Sequence, residues 1–170
     1  MPPQPLKVVA LLGNDISTDI IYPGRFMATV LPSETPQYAF ADNVELNKRL
    51  RGKEIPPNSV IVAGTNFGCG SSREQAASTL KGYELIIIAK GFARIFLQNA
   101  INLGLNTIVC TGIEAAEGDE LEIHSDHIVN GTKGKTFPTE PMPKARQAII
   151  DAGGLIPYTR KRLLEISGKH

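Results

Sequence analysis

The sequence predicts an α/β fold, and three observations carry that reading. The runs at residues 59–63 (SVIVA) and 84–89 (ELIIIA) are continuously apolar rather than alternating, the pattern of strands covered on both faces. Between them lies a glycine turn and a stretch of helix-forming composition, residues 73–81, stopped by Gly82, so that strand, turn, helix and strand follow one another as a βαβ unit. The third is scale. A chain of 170 residues at 42% hydrophobic composition suits one domain that buries roughly 70% of its unfolded surface without a disulfide staple.

In chain order, residues 7–12 (KVVALL) form a short apolar run ended by Gly13, Asn14 and Asp15, which reads as a buried strand entering a turn. Asp15, Ser17, Thr18 and Asp19 are turn and cap formers by type. Pro23 and Gly24 force a further turn, after which Arg25, Phe26, Met27, Ala28 and Thr29 can form an exposed loop. From 35 to 53 the pattern is mixed: Tyr38, Phe40, Val44, Leu46 and Leu50 punctuate one short helix before Pro56 and Pro57. After the central βαβ unit, Gly91 permits a turn into a helix over 92–103, where Phe92, Phe96, Ala100 and Leu103 recur at helical spacing. Gly104 ends that helix, and residues 106–110 return as a strand. Residues 118–131 alternate and turn like a hairpin. A helix over 141–152 is stopped by Gly153 and Gly154, and residues 159–166 read as a basic terminal helix.

The chemistry concentrates in residues 64–75, GTNFGCGSSREQ. Gly64, Gly68 and Gly70 can take backbone angles closed to residues with a Cβ, so the turn can aim several N–H groups at one point. A helix beginning near Ser71 or Ser72 adds a partial positive pole, and Arg73 a full charge that can fork onto a carboxylate. A hydroxyl in that field loses its proton more readily than one in water, as a serine base or nucleophile requires. Ser71 or Ser72 also fits a plain helix N-cap, with Glu74 or Gln75 closing a capping box. The spacing fits neither the phosphate-loop nor the dinucleotide fingerprint.

Composition excludes several classes. With 18 basic against 17 acidic residues, no global field exists to hold nucleic acid or an anionic membrane. The two cysteines, Cys69 and Cys110, form no spaced zinc pair and are too few for an iron–sulfur cluster, so both read as thiols of a reducing compartment. The start MPPQP lacks the regions of a signal peptide, and no apolar run approaches the ~20 residues of a membrane helix, which points to a cytoplasmic protein. His124 and His127, with terminal His170 as the only further imidazole, invite a metal reading but fit surface residues better. Arg160, Lys161 and Arg162 could contact RNA, or form a solvated face or partner contact.

The runs NFGCGSSRE (66–74), AKGFARIF (89–96) with Asn99, Asn102, Gly104 and Leu105, and GNDISTDIIYPG (13–24) together resemble the small subunit of aconitase-type hydro-lyases, the group that includes isopropylmalate isomerase and homoaconitase. The resemblance covers roughly residues 6–157, leaving 158–170 as a helical tail. It implies a single three-layer swivelling β/β/α domain spanning 1–170, of the kind that forms the aconitase C-terminal domain. It also implies roles. Ser71 is the base, Ser72 and Arg73 hold the substrate carboxylate, and Thr18 and Asp19 steady that group. Gly68 and Gly70 shape the turn, and Arg94 supports it from behind, although Arg94, Asn99 and Asn102 also suit the bonding of turns and helix ends. The loop from Arg25 to Thr29 faces the variable side chain of the substrate; Phe26, Met27 and Ala28 suit a branched alkyl group, whereas homoaconitase-like members place an arginine at the position of Ala28.

Hydro-lyases of this type remove water from a hydroxy acid and return it at the adjacent carbon. That demands a base, positive charge on the carboxylate and a Lewis acid for the hydroxyl. Two cysteines cannot hold the third. The resemblance therefore implies a large partner subunit carrying a 4Fe-4S cluster, in a heterodimer or heterotetramer, with a small hydroxy-dicarboxylate as substrate and no cofactor or metal bound by this chain. Isopropylmalate isomerisation in leucine synthesis is the reading this supports, with another alkyl-malate or homoaconitate as the alternative substrate and an anion-sensing or RNA-contacting module as the non-enzymatic alternative. Gln75 and Gly91 depart from the family pattern, where many relatives have histidine and serine.

Overall fold

A computed structural model describes residues 3–168. Four strands, β1 (Leu6–Leu11), β2 (Val60–Ala63), β3 (Ile86–Ala89) and β4 (Asn106–Val109), run parallel, and three more, β5 (Glu120–Ile123), β6 (His127–Asn130) and β7 (Lys135–Pro138), run antiparallel. One seven-stranded sheet joins them in the order β4-β3-β2-β1-β5-β6-β7, with β1 pairing antiparallel to β5 at the seam.

Because strand side chains alternate between faces, the parallel half serves two cores at once. Val8, Val60, Val62, Ile86 and Ile88 face Leu121, Ile128 and Phe137 of the antiparallel half, which the sheet curls over them. Val9, Ile61, Ala63, Ile87 and Ala89 point the other way, onto Ala76, Ala77 and Leu80 of α3 (Glu74–Gly82) and Phe96 and Ala100 of α4 (Arg94–Leu103). Antiparallel strands, parallel strands and helices form three layers. Strands buried on both faces explain why the runs at 59–63 and 84–89 lack alternation.

Several boundaries differ from the expectations. Past the turn at 13–15, Thr18 and Asp19 open a one-turn helix that was not expected, α1 (Thr18–Ile21), whose cap Ser17 accepts a bond from the Ile20 N–H at 3.2 Å. Residues 35–53 hold a 3-10 turn (Thr35–Tyr38) as well as α2 (Val44–Arg51), which Asn43 caps through the Leu46 N–H. Residues 92 and 93 are extended, since Phe92 bridges to Phe67 and the Ala93 N–H bonds the Phe67 carbonyl at 2.9 Å, so α4 starts only at Arg94. β7 was not anticipated; it is an edge strand whose single buried residue is Phe137. The last two helices are α5 (Lys144–Asp151) and α6 (Leu155–Ser167). The second begins before residue 159 because Pro157 sits in its first turn, where a missing N–H costs nothing.

His124 and His127 stack across the β5–β6 turn at 4.4 Å and stand against Glu122 and Asp126 at 3.6 and 2.6 Å. They are half-buried rather than fully solvated; His170 lies outside the described residues. Among the described residues no helix is long and apolar enough to cross a membrane.

Candidate active site

Parallel pairing of β1 with β2 brings the loops that leave their C-terminal ends side by side, the usual place for a site on such a sheet. The two loops are laced by backbone bonds: Asp15 N–H to Thr65 O (2.9 Å), Gly68 N–H to Ile16 O (2.7 Å) and Thr18 N–H to Cys69 O (2.7 Å). Two glycines make the approach possible. A Cβ on Gly64 would lie 2.0 Å from Asn14 Oδ1, the atom that accepts the Thr65 N–H. Gly68 has φ of +83° and sits on the Phe96 ring, where a Cβ would lie 2.2 Å from Cγ. Substituting Gly68 by alanine is therefore expected to destabilise the chain by about 2–4 kcal/mol, from the left-handed backbone and the overlap together. Urea unfolding of the variant checks this; an unchanged midpoint would mean that the turn is not held where it is described.

The lacing sets Ser71 on Thr18. The Ser71 hydroxyl lies 3.0 Å from Thr18 Oγ1, which also accepts the Ser71 N–H at 3.1 Å. Either hydroxyl can donate in this pair, and once Ser71 has lost its proton the donor is Thr18 O–H. Thr18 is buried, whereas Ser71 and Ser72 are exposed. A hydroxyl held by a buried neighbour and open to solvent can meet a small acid.

Arg73 stands beside it. Its Nη1 donates to Asp19 Oδ1 at 2.9 Å and to the Tyr22 carbonyl at 3.3 Å, and Gly24 leaves room for the guanidinium, since a Cβ there would lie 3.1 Å from Nη2. The Arg73 hydrogen bond, then the Gly24 N–H at 2.8 Å, hold the Asp19 carboxyl below the usual carboxylate range. Nη2 of Arg73 has no acceptor among the described residues, and its Nε is buried without one. The amides of Gly70, Ser72 and Arg73 likewise meet no acceptor among the described residues.

Two expectations are corrected here. Helix α3 starts at Glu74 with Arg73 at the cap position, so Ser71 and Ser72 lie ahead of the helix, neither caps it, and no capping box forms. Tertiary bonds invisible to local spacing, from Thr18 to Ser71 and from Asn99 to Ser72, hold those residues in the turn. Nor do all the turn amides serve an anion, because those of Gly68 and Ser71 are spent on docking Ile16 and Thr18. Arg94 also differs from its expected role. It is exposed and bonds nothing in the turn among the described residues; the support comes from Asn99, whose Nδ2 donates to the Ser72 carbonyl at 3.2 Å.

A groove of about 700 Å³ opens beside Ser71, between Gly68, Gly70, Arg94, Asn99 and Arg146. Arg146, on α5, was not singled out from the sequence, because nothing local connects residue 146 with residue 71. No carboxylate lines this groove, so its field is positive.

The 25–29 loop follows Gly24, whose N–H holds Asp19, and contributes no residue to the lining of this groove. It starts as a 3-10 turn (Gly24–Phe26), stacks Phe26 on Tyr38 with ring centroids 4.0 Å apart, and takes bonds from the Tyr22 hydroxyl to the Phe26 and Thr29 carbonyls at 3.1 and 3.3 Å. Gln75 Nε2 donates to the Met27 carbonyl at 3.3 Å, joining loop and α3. Met27 and Ala28 are exposed.

A curled three-layer α/β domain with a serine turn laced to an N-terminal Thr-Asp segment defines the aconitase C-terminal class, and residues 14–112 match the family model described as the aconitase C-terminal domain. The chain is 43% identical over 157 residues to the 3-isopropylmalate dehydratase small subunit of Methanosarcina acetivorans, covering 90% of this chain and 94% of that one. It is 41% identical over 159 residues to the isopropylmalate/citramalate isomerase small subunit of Methanocaldococcus jannaschii, covering 90% and 92%. A crystal structure of 3-isopropylmalate dehydratase from the latter organism superposes with a TM-score of 0.85 at 40% identity, over 98% of this chain and 99% of that one. The chain belongs to the 3-isopropylmalate dehydratase small-subunit family and is a hydro-lyase subunit.

The residues present do not fit an iron–sulfur cluster. Cys69 is half-buried in the turn, Cys110 is buried with its thiol on the Pro138 carbonyl, and among the described residues no group of three or more His, Cys, Asp or Glu side chains could hold a metal.

Proposed function

We propose that this chain works with a large subunit to isomerise 2- and 3-isopropylmalate by dehydration and rehydration, in cytoplasmic leucine synthesis. The observation that carries the reading is the exposed Ser71 hydroxyl seated on the buried Thr18 hydroxyl, one residue pair away from a guanidinium with an unfilled N–H. Ser71 as an alkoxide takes the proton from the carbon beside a substrate carboxylate. The C–H electrons form the double bond as the hydroxyl leaves the adjacent carbon, and rehydration reverses these changes with the oxygen on the other carbon. Thr18 donates its O–H to the alkoxide and lowers the cost of forming it. Arg73 Nη2 and the free amides of Ser72 and Arg73 hold the carboxylate on which charge develops, and Asp19 fixes the plane of the guanidinium. Apolar Met27 and Ala28 face the alkyl group.

Departure of the hydroxyl is left to groups outside this chain, and a 4Fe-4S cluster on the large subunit is the Lewis acid this reading requires. Accordingly, the purified chain is expected to be folded and without dehydratase activity, and to gain activity on addition of a cluster-loaded large subunit. Alkyl-malate turnover by the purified chain, without partner or iron, would overturn this. Absorbance of the alkene diacid is the readout.

A further inference from the structure

Arg25 is the sole cation of the 25–29 loop, and its guanidinium is occupied. Nη2 donates to Asp42 Oδ1 at 2.6 Å and Nη1 to Asp42 Oδ2 at 3.1 Å, a forked pair, while the guanidinium carbon lies 4.6 Å from the centroid of the Phe26 ring. Phe26 in turn stacks on Tyr38, so the arginine is held by a carboxylate at its tip and a packed aromatic along its plane. The pair neighbours the site: Asp19, bound to Arg73, feels the Arg25 charge. Charges therefore alternate Arg73, Asp19, Arg25, Asp42, and each guanidinium has its own aspartate. Nη2 of Arg73 has no acceptor among the described residues, whereas each terminal nitrogen of Arg25 donates to Asp42.

We propose that Asp42 is a specificity-determining residue: by pinning Arg25 it removes the loop's only cation from the substrate's variable end, so the subunit takes acids with an uncharged side chain and rejects those with a third carboxylate. This rests on the reading that the loop meets that variable end. The device is repulsive as well as sequestering, because Asp42 adds its own negative charge where a third carboxylate would arrive. Both partners are more than half exposed, so the clamp is modest and a single substitution can open it.

The test uses the reconstituted complex and the ratio of kcat/KM for a linear tricarboxylic hydroxy acid to that for an alkyl-malate. Asp42→Asn is expected to raise this ratio about tenfold, of which roughly fivefold is release of an exposed ion pair and the rest is loss of the Asp42 charge. Asp42→Glu, which can rebuild the fork, should restore the starting ratio, and Arg25→Met combined with Asp42→Asn should lose most of the gain. A control, Ala28→Arg, places a guanidinium in the loop directly. If Ala28→Arg raises the ratio and Asp42→Asn does not, the role of Asp42 is overturned while the loop reading stands. If neither does, the loop reading fails and the proposal with it. A gain that persists in the Arg25→Met background would likewise overturn the pinning of Arg25.

Discussion

Replacing Ser71 by alanine in the reconstituted complex is expected to lower kcat by about 10²- to 10⁴-fold, the usual worth of a positioned base. Assembly with the large subunit and thermal stability should hold. Ser71 is exposed, so water can replace its hydroxyl on Thr18, and Thr18 Oγ1 still accepts the backbone N–H of residue 71. The measurement is single-turnover proton exchange at the substrate carbon alongside steady-state turnover, since a base variant loses both. Retention of near-native exchange would take Ser71 out of the chemistry and leave the turn as an anion-holding surface.

Replacing Arg73 by methionine is expected to cost roughly 3–4 kcal/mol of transition-state stabilisation, about 10²- to 10³-fold in kcat/KM, because a charge-assisted bond to the carboxylate is lost where charge develops. Lysine should recover little of this. Its single ammonium cannot hold Asp19, the Tyr22 carbonyl and a substrate oxygen in one plane, as the guanidinium does. Asp19→Asn keeps Arg73 but loosens its orientation, and an intermediate loss is expected. Near-native kcat/KM in the lysine variant would show that Arg73 acts as a general positive charge rather than as a fork.

Gln75 and Gly91, the two departures from the family pattern, have different standing in the fold. Gln75 has a specific task, tying α3 to the 25–29 loop through the Met27 carbonyl, so the residue at this position helps to set where the loop lies. At Gly91 a Cβ would find its nearest neighbour, the Asn66 nitrogen, at 3.7 Å, ordinary contact, so no close approach requires glycine there.

Chain order and local chemistry were sufficient to read most strands and helices, because apolar runs, glycine stops and helical spacing are properties of neighbouring residues. The serine turn was legible for the same reason. Gly64, Gly68 and Gly70 in twelve residues is a local signal, and two of the three do have φ between +80° and +105°. β7 was missed because one buried phenylalanine carries no period, and the start of α3 was misplaced because the bonds that shape the turn ahead of it come from some fifty positions upstream.

By itself, then, the sequence determined an α/β chain, a glycine-rich turn bearing two hydroxyls and an arginine, and too few thiols for an iron–sulfur centre. Tertiary structure alone decided which hydroxyl rests on Thr18, that Asp19 aligns Arg73, that Asn99 rather than Arg94 props the turn, and that Asp42 occupies Arg25. The reason is distance along the chain. Parallel pairing of β1 and β2 spends some fifty residues to bring two loops into contact, and hydrogen bonds between residues so far apart leave no mark in local pattern.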